Sequence, residues 1–194
     1  MAGYFEAAPD GAAVIALDEV EVSILRSLAV QLLELIGPGR EHEEGADPLA
    51  ALFAEGPSSP PSDPALARLF PDAYVDPQAG DAVGREAREA SAEFRRYTEN
   101  DLRARKREDA LAVVRGLDGL EPSGGGAVLR VAGDDARHWL GTLNDLRLTI
   151  GSRLGVTEDD EELYRLPDTD PRKPLVMAYL WLGGLQESLL ETLV

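Results

Sequence analysis

The feature that most limits the fold of this chain is a helical repeat of apolar residues between Asp134 and Gly155. These residues recur at steps of three and four, and they are Trp139, Leu143, Leu146, Ile150 and Leu154. Such spacing places them on one face of an α-helix, which must be buried against other elements. Asp134 or Asp135 is predicted to cap the start of the helix, and Gly155 to end it in the left-handed conformation. The repeat predicts a helical protein packed around this central helix.

Two further segments are predicted to bury this central helix. An opening helix is predicted from Glu19 to Ile36, because Asp18 and Glu21 have the spacing of a capping box. A closing helix is predicted from Leu175 to Val194, with apolar residues on more than one face, which is typical of a buried helix. A shorter helix is expected around Leu66–Leu69.

The longest helical segment is predicted from Asp81 to Leu117. Its apolar stripe is weak between Arg103 and Asp109, where nearly every residue is charged. We therefore expect a break, a bend or a solvated overhang at that point.

A small β element completes the predicted fold. Tyr4–Ala8 and Ala13–Leu17 flank the turn residues Pro9-Asp10-Gly11 and are predicted to form a hairpin, with which Val128–Val131 could pair. The predicted fold class is mainly α, a helical bundle of about four main helices with a small N-terminal β-hairpin and one short extra strand. Residues 1–194 are expected to form a single helical domain, with residues 39–63 as a flexible loop within it.

Composition excludes several classes of function. A net charge of −17 argues against direct nucleic-acid binding, which needs clustered positive charge. The absence of cysteine removes disulfides, thiol catalysis and cysteine–metal sites. No secretory signal is recognisable, and no apolar run is long enough for a membrane span, so a cytoplasmic protein without membrane contact is expected.

One dense basic run offers a candidate for partner binding. It lies on the longest predicted helix, and its charged residues are Arg103, Arg105, Lys106 and Arg107. A basic strip of this kind could bind an acidic partner, a phosphate or RNA. The alternative is a solvated helix with ion pairs such as Glu99–Arg103, which the mixture of signs favours.

A group of polar residues lies between the leucines of the central helix, and it comprises Asn144, Asp145, Arg147 and Arg153. We interpret the group as a structural polar cluster whose hydrogen bonds fix the register of the helix. A small-ligand site at Asp145 and Arg147 is the alternative, although a lone Asp and Arg specify no reaction.

No constellation in the sequence specifies a catalyst, a metal site or a cofactor. The acidic run Glu158–Glu162 lacks the spaced ligands and the glycine of a calcium loop. His42 and His138 are far apart and lack thiol partners, so a metal enzyme is not expected. We therefore predict a protein that is not an enzyme and needs no cofactor.

Several segments together carry a family resemblance. They are EVSILRSLAVQLLEL, DPALARLFPDAY, EFRRYTENDLRARK, HWLGTLNDLRLTIGSRLG and YLWLGGLQESLLETL, in this order along nearly the whole chain. In these segments the chain resembles the AosR-like oxidative-stress regulators, an actinobacterial family (domain-of-unknown-function family 2017) encoded beside the protease adaptor ClpS.

The resemblance implies a regulator that acts through protein contacts, with a sigma factor as its partner. In mycobacterial members it also implies oxidation sensing by a cysteine pair, which cannot apply here because the chain has no cysteine. The alternative hypothesis is a structural or adaptor module, linked to Clp proteolysis, that forms a homodimer through its C-terminal helix.

Overall fold

The computed structural model describes residues 3–38, 55–75, 84–121, 125–157, 163 and 165–193. The elements in these residues are, in chain order, β1 (Glu6–Ala7), β2 (Ala13–Asp18), α1 (Glu19–Ile36), α2 (Pro64–Leu69), α3 (Arg85–Asp118), β3 (Gly126–Val131), α4 (Asp134–Leu154) and α5 (Lys173–Glu191). Four long helices, one short helix and a three-stranded sheet in the described part of the chain confirm the predicted fold class.

The sheet is antiparallel throughout, in the order β1-β2-β3. Its longer ladder runs from the pair Ala13↔Val131 to the pair Asp18↔Gly126. Side chains alternate along the strands, so that Ile15 and Leu129 are buried on the inner face while Val128 faces solvent. The predicted hairpin and its pairing with the third strand are confirmed.

Helix α4 lies at the centre of the helical layer and packs against α1, α2, α3 and α5. Its apolar stripe is buried, and Trp139 and Leu143 are 3% and 1% exposed. The helix ends as predicted, with Gly155 in the left-handed region at φ 70° and the N–H of Val156 donating to the carbonyl of Gly151 at 2.9 Å.

The predicted cap at the start of α4 is wrong. The residue before the helix is Gly133, whose φ of 56° and ψ of −120° suit glycine, and no side chain caps the helix. With Gly133 as the cap, the helix begins at Asp134, whereas a cap at Asp134 would start it at Asp135. Asp134 and Asp135 therefore lie in the first turn, where negative charge interacts favourably with the positive end of the helix dipole.

Helix α1 has the predicted bounds, Glu19–Ile36. A carboxylate oxygen of Asp18 accepts the backbone N–H of Glu21 at 2.8 Å, and the carboxylate of Glu21 accepts the backbone N–H of Asp18 at 2.9 Å. This reciprocal pair is the predicted capping box.

The break predicted in the long helix does not occur, and α3 is continuous from Arg85 to Asp118. The charged residues between Arg103 and Asp109 are not left in solvent, because several of them bind groups on α1 and α4. Those contacts hold this part of the helix against its neighbours. The predicted start at Asp81 lies outside the described residues.

Helix α5 is buried on one face only, which corrects the expectation of a buried helix. Leu182, Leu185 and Leu189 are fully buried, whereas Met177, Leu180 and Leu190 are exposed. The opposite apolar face therefore remains open to solvent.

Part of the predicted loop, residues 39–54, and the acidic run Glu158–Glu162 lie outside the described residues. The remainder of the predicted loop, residues 55–63, is described, and the N–H of Gly56 in it donates to the carbonyl of Arg96 on α3 at 2.7 Å.

Candidate functional site

The inward face of α3 carries charge where a helix normally carries apolar side chains. We call this row the charged seam, and its members are Arg95, Glu99, Arg103, Lys106 and Asp109. Arg95 is 4% exposed and Glu99 is 3% exposed, and the two form an ion pair one helical turn apart. The guanidinium of Arg95 also donates to Asp72 at 2.8 Å and to the carbonyl of Phe70 at 2.9 Å. These contacts neutralise a charge that would be costly to bury alone.

Two arginines farther along α3 bind the C-terminal end of α1. Arg103 binds Glu99 through Nε at 2.8 Å, donates to the carbonyl of Ile36 at 2.8 Å and stacks over the ring of Phe70 at 4.3 Å. Arg107 donates to the carbonyl of Gly37. The last turn of α1 has no basic residue of its own, so these two guanidinium groups satisfy its free carbonyls.

Two further pairs link α3 to α4. Lys106 Nζ lies 2.6 Å from Oδ1 of Asp145, which is 2% exposed. Burial raises the pKa of Asp145 above its ordinary value, and the ammonium group of Lys106 offsets part of this shift. Nearer the C-terminus of α3, Asp109 Oδ1 lies 2.7 Å from Nδ1 of His138. The charged seam therefore fixes the packing of α3 on α4.

The residues predicted for partner binding have different environments. Arg103, Lys106 and Arg107 are partly buried and bind groups inside the fold, whereas Arg105 is exposed. The prediction of a partner-binding strip stays a prediction, and Arg105 is the member that presents its charge to solvent.

Among the residues predicted as a structural polar cluster, Asn144 and Asp145 share a side-chain hydrogen bond, whereas Arg147 is directed to α5. Asn144 and Arg153 are exposed, Asp145 contacts α3 and Arg147 contacts α5. Residues two apart on a helix point in different directions, which separates Asp145 from Arg147. The alternative of a single small-ligand site formed by that pair has no support in this geometry.

Arg147 lies in a setting that the sequence does not reveal. Its guanidinium donates through Nη1 to Gln186 Oε1 at 2.8 Å and lies over the ring of Tyr179 at 5.1 Å. Gly183 lies beside it, and the position that a Cβ would take there is in ordinary van der Waals contact with Nε of Arg147, at 3.4 Å. Two grooves meet at Arg147 and Tyr179, with volumes of about 600 and 500 Å³.

The outward side of α3 carries a second feature that sequence analysis missed, an exposed group of aromatic side chains. We call it the aromatic face, and its members are Phe94 and Tyr97 on α3 and Tyr74 in the segment that follows α2. Phe94 is 47% exposed and Tyr97 63% exposed, and the rings of Tyr74 and Phe94 meet edge to face at 5.9 Å. Arg105 lies about three turns beyond Phe94 on the same side of the helix. The signal in the sequence is that Phe94 and Tyr97 lie outside the row of residues, spaced four apart, that runs through Ser91, Arg95 and Glu99.

Two kinds of site are not found in the part of the chain that the structure describes. No group of three or more His, Asp or Glu side chains is placed to hold a metal ion. No helix in the same residues has the length and apolarity needed to cross a membrane.

These features define a mainly α-helical protein whose central helices are joined by internal ion pairs. The model of the family described as "Domain of unknown function (DUF2017)" matches residues 1–193, and the chain belongs to this family. The predicted family membership is confirmed. No solved structure matches the chain significantly.

Mycobacterial relatives carry a functional name. The oxidative stress regulators AosR of Mycobacterium tuberculosis and Mycobacterium bovis are each 31% identical to this chain over 183 residues, covering 90% of this chain and 78% of theirs. A relative in Mycobacterium leprae is 33% identical over 183 residues, covering 90% of this chain and 79% of its own.

Proposed function

We propose that this protein is a cytoplasmic regulator of the stress response that acts by binding a partner protein and catalyses no reaction. One observation carries the proposal: relatives called oxidative stress regulators match 90% of the chain at 31% identity. Because this chain has no cysteine, it supplies no thiol of its own for oxidation sensing.

The ion pairs of the fold support a role other than catalysis. The most buried charged groups in the described residues are used in pairs, Arg95 with Glu99 and Lys106 with Asp145. A general acid or base must reach its substrate, and groups that are paired inside a helix interface cannot do so. These side chains instead hold α3 in place.

The aromatic face, extended by Arg105, is the surface that we assign to the partner. Tyrosine, phenylalanine and arginine are enriched at protein interfaces, where rigid aromatic rings supply most of the binding energy. Tyr97 and Phe94 are exposed on a long, rigid helix, which presents them without a cost of ordering a loop. The family resemblance makes a sigma factor the partner that we propose.

Binding of the full chain to the purified sigma factor of the same organism tests this proposal. The variant Phe94→Ala/Tyr97→Ala should bind at least about tenfold more weakly, the usual cost of removing one interface anchor. Val128→Ala, on the exposed face of the sheet, is the control and should bind as the parent does.

Two results would count against the proposal. One is the recovery of no stoichiometric protein, sigma factor included, when the full chain is used as bait in a native lysate. The other is equal binding by the parent and the double variant, which would remove the aromatic face from the interface.

A second candidate function is a dimeric adaptor in Clp-dependent proteolysis, favoured by the exposed apolar side chains of α5. Met177, Leu180 and Leu190 lie open to solvent on this helix. One of its two glycines is already in close contact within the chain, because a Cβ at Gly184 would lie 2.7 Å from Cε1 of Tyr4. Sedimentation of the full chain as a monomer at tens of micromolar would exclude this dimer, and Leu180→Glu should dissociate one that forms.

A further inference from the structure

Arg147 is a positioned cation without a counter-ion in the described residues. The inward-facing Arg95 and Arg103 both bind carboxylates, whereas Arg147 is held by an amide oxygen of Gln186 and the ring of Tyr179. Its Nε is buried with no acceptor. A guanidinium held in place by neutral groups retains its full charge and unused donors for an incoming anion.

The groove next to Arg147 is positive, although the whole chain carries −17. This groove of about 600 Å³ lies between α2, the C-terminal part of α4 and α5. Among the residues that the structure describes, the charged lining residues of this groove are Arg68 and Arg147, and none is acidic. A concave surface lined by one sign of charge concentrates the field and attracts ligands of the opposite sign.

The second groove continues past Arg147 along the exposed face of α5. It has a volume of about 500 Å³, and its apolar lining residues include Leu180 and Leu190. Both leucines are among the exposed apolar side chains of this helix. The described lining of the two grooves offers two cations, Arg68 and Arg147, in one part, and open apolar side chains with one carboxylate, Glu187, in the other. This surface complements a peptide whose acidic residues lie on the two arginines and whose apolar residues lie along α5.

We propose that the joined grooves bind an acidic segment of a partner protein, with its carboxylates on Arg68 and Arg147 and an apolar side chain against Leu180. The choice of a protein segment rests on the proposed function, that the chain works through protein contacts. Arginine binds carboxylates through two parallel hydrogen bonds. Because Arg68 and Arg147 come from different helices, the site would select peptides by the spacing of their acidic residues.

Selection from a random library of twelve-residue peptides displayed on phage tests the proposal without knowledge of the partner. The full chain is the bait, and peptides that also bind the Arg147→Gln variant are removed first. The peptides that remain should combine Asp or Glu with leucine-like residues. A synthetic, fluorescein-labelled copy of the most frequent peptide should bind the parent ten- to a hundredfold more tightly than Arg147→Gln, because one charge-assisted bond is lost.

Two matched variants define the outcome. Arg68→Gln should weaken binding of the same peptide about tenfold or more. Because Arg68 is exposed, this variant tests the groove even if Arg147→Gln impairs folding. Arg115→Gln makes the same charge change at an exposed position on α3 outside both grooves and should have no effect.

Three results would overturn the proposal: selected peptides without carboxylates, equal binding by the parent and both groove variants, or an equal loss in Arg115→Gln. Binding of acetate or inorganic phosphate as tightly as the peptide would also overturn it, since the groove would then be a small-anion site. Failure here is separable from failure of the proposed function, because the sigma-factor assay depends on Phe94 and Tyr97, which do not line either groove.

Discussion

Substitution of Glu99 by glutamine is the sharpest test of the charged seam. Glu99 is 3% exposed, and its carboxylate accepts contacts from Arg95 on one oxygen and from Arg103 on the other. The amide of glutamine keeps the shape of the side chain and one acceptor oxygen, but it removes the charge. The substitution therefore leaves the buried guanidinium of Arg95 with Asp72 as its remaining carboxylate partner, at 2.8 Å.

The expected cost follows from this geometry. Removing one partner of a buried ion pair destabilises a protein by about 3–5 kcal/mol. Because Arg95 retains Asp72, we expect the lower end of that range, a loss of about 3 kcal/mol in the free energy of unfolding. With a slope of about 2 kcal/mol per molar urea, the urea midpoint should fall by about 1.5 M.

Urea unfolding of the full chain at pH 7, followed by far-ultraviolet circular dichroism, measures this loss. Glu108→Gln, at an exposed position of the same helix, is the control and should change the midpoint little. The double variant Arg95→Met/Glu99→Leu removes both charges and should cost less than Glu99→Gln alone. A loss below about 1 kcal/mol in Glu99→Gln, or a double variant that is the less stable of the two, would refute our account of the seam.

Three further predictions concern stability. Burial raises the pKa of Asp145, so the stability from this group is complete below its ordinary value of 3.8 and is lost as the pH rises through the folded value. Asp145→Asn should therefore flatten that part of the pH profile of the urea midpoint, and an unchanged profile would contradict the assignment. Asp18→Ala removes the capping box of α1 and should cost about 1 kcal/mol, measured by urea unfolding, whereas Asp18→Asn should cost less. Leu143→Ala in the centre of α4 should cost about 2–5 kcal/mol, and a thermal midpoint equal to that of the parent would show that the stripe is not packed as described.

The parts of the fold that could be predicted from the sequence have local signals. The bounds of α1 follow from Asp18 and Gly37, which flank the helix, and from Glu21 in its first turn. The stripe on α4 repeats every three or four residues, so its buried face can be read without knowledge of its neighbours.

The charged seam could not be predicted in this way, because its partners are distant in the chain. Arg95 and Glu99 have the composition of a solvated helix, and only the docking of Asp72 and Phe70 makes their burial favourable. One signal was nevertheless present: Arg95 and Glu99 continue, at helical spacing, the row of buried apolar residues that includes Val113 and Leu117. The mixture of charges on this helix favours the interpretation of a solvated face, although the helical spacing of the row indicates burial.

The setting of Arg147 was equally hidden. The sequence placed it in a cluster with Asp145, its neighbour on α4, but helix geometry turns the two toward different partners. Its actual contacts come from α5, where Gln186 accepts its hydrogen bond and the ring of Tyr179 lies against its guanidinium. Contacts between elements far apart in the chain decide such a site, and no local pattern encodes them.

The first strand region is tied to the last helix, since the N–H of Phe5 donates to the hydroxyl of Ser188 across 183 positions of the chain. During synthesis on the ribosome, at about 5–20 residues per second, roughly 10 to 40 s pass between the appearance of these two residues. Over that interval the N–H of Phe5 lacks this acceptor, although Trp139 and β3 are already synthesised before α5. The segment around Phe5 is therefore the part of the sheet that chaperones can bind until α5 is complete.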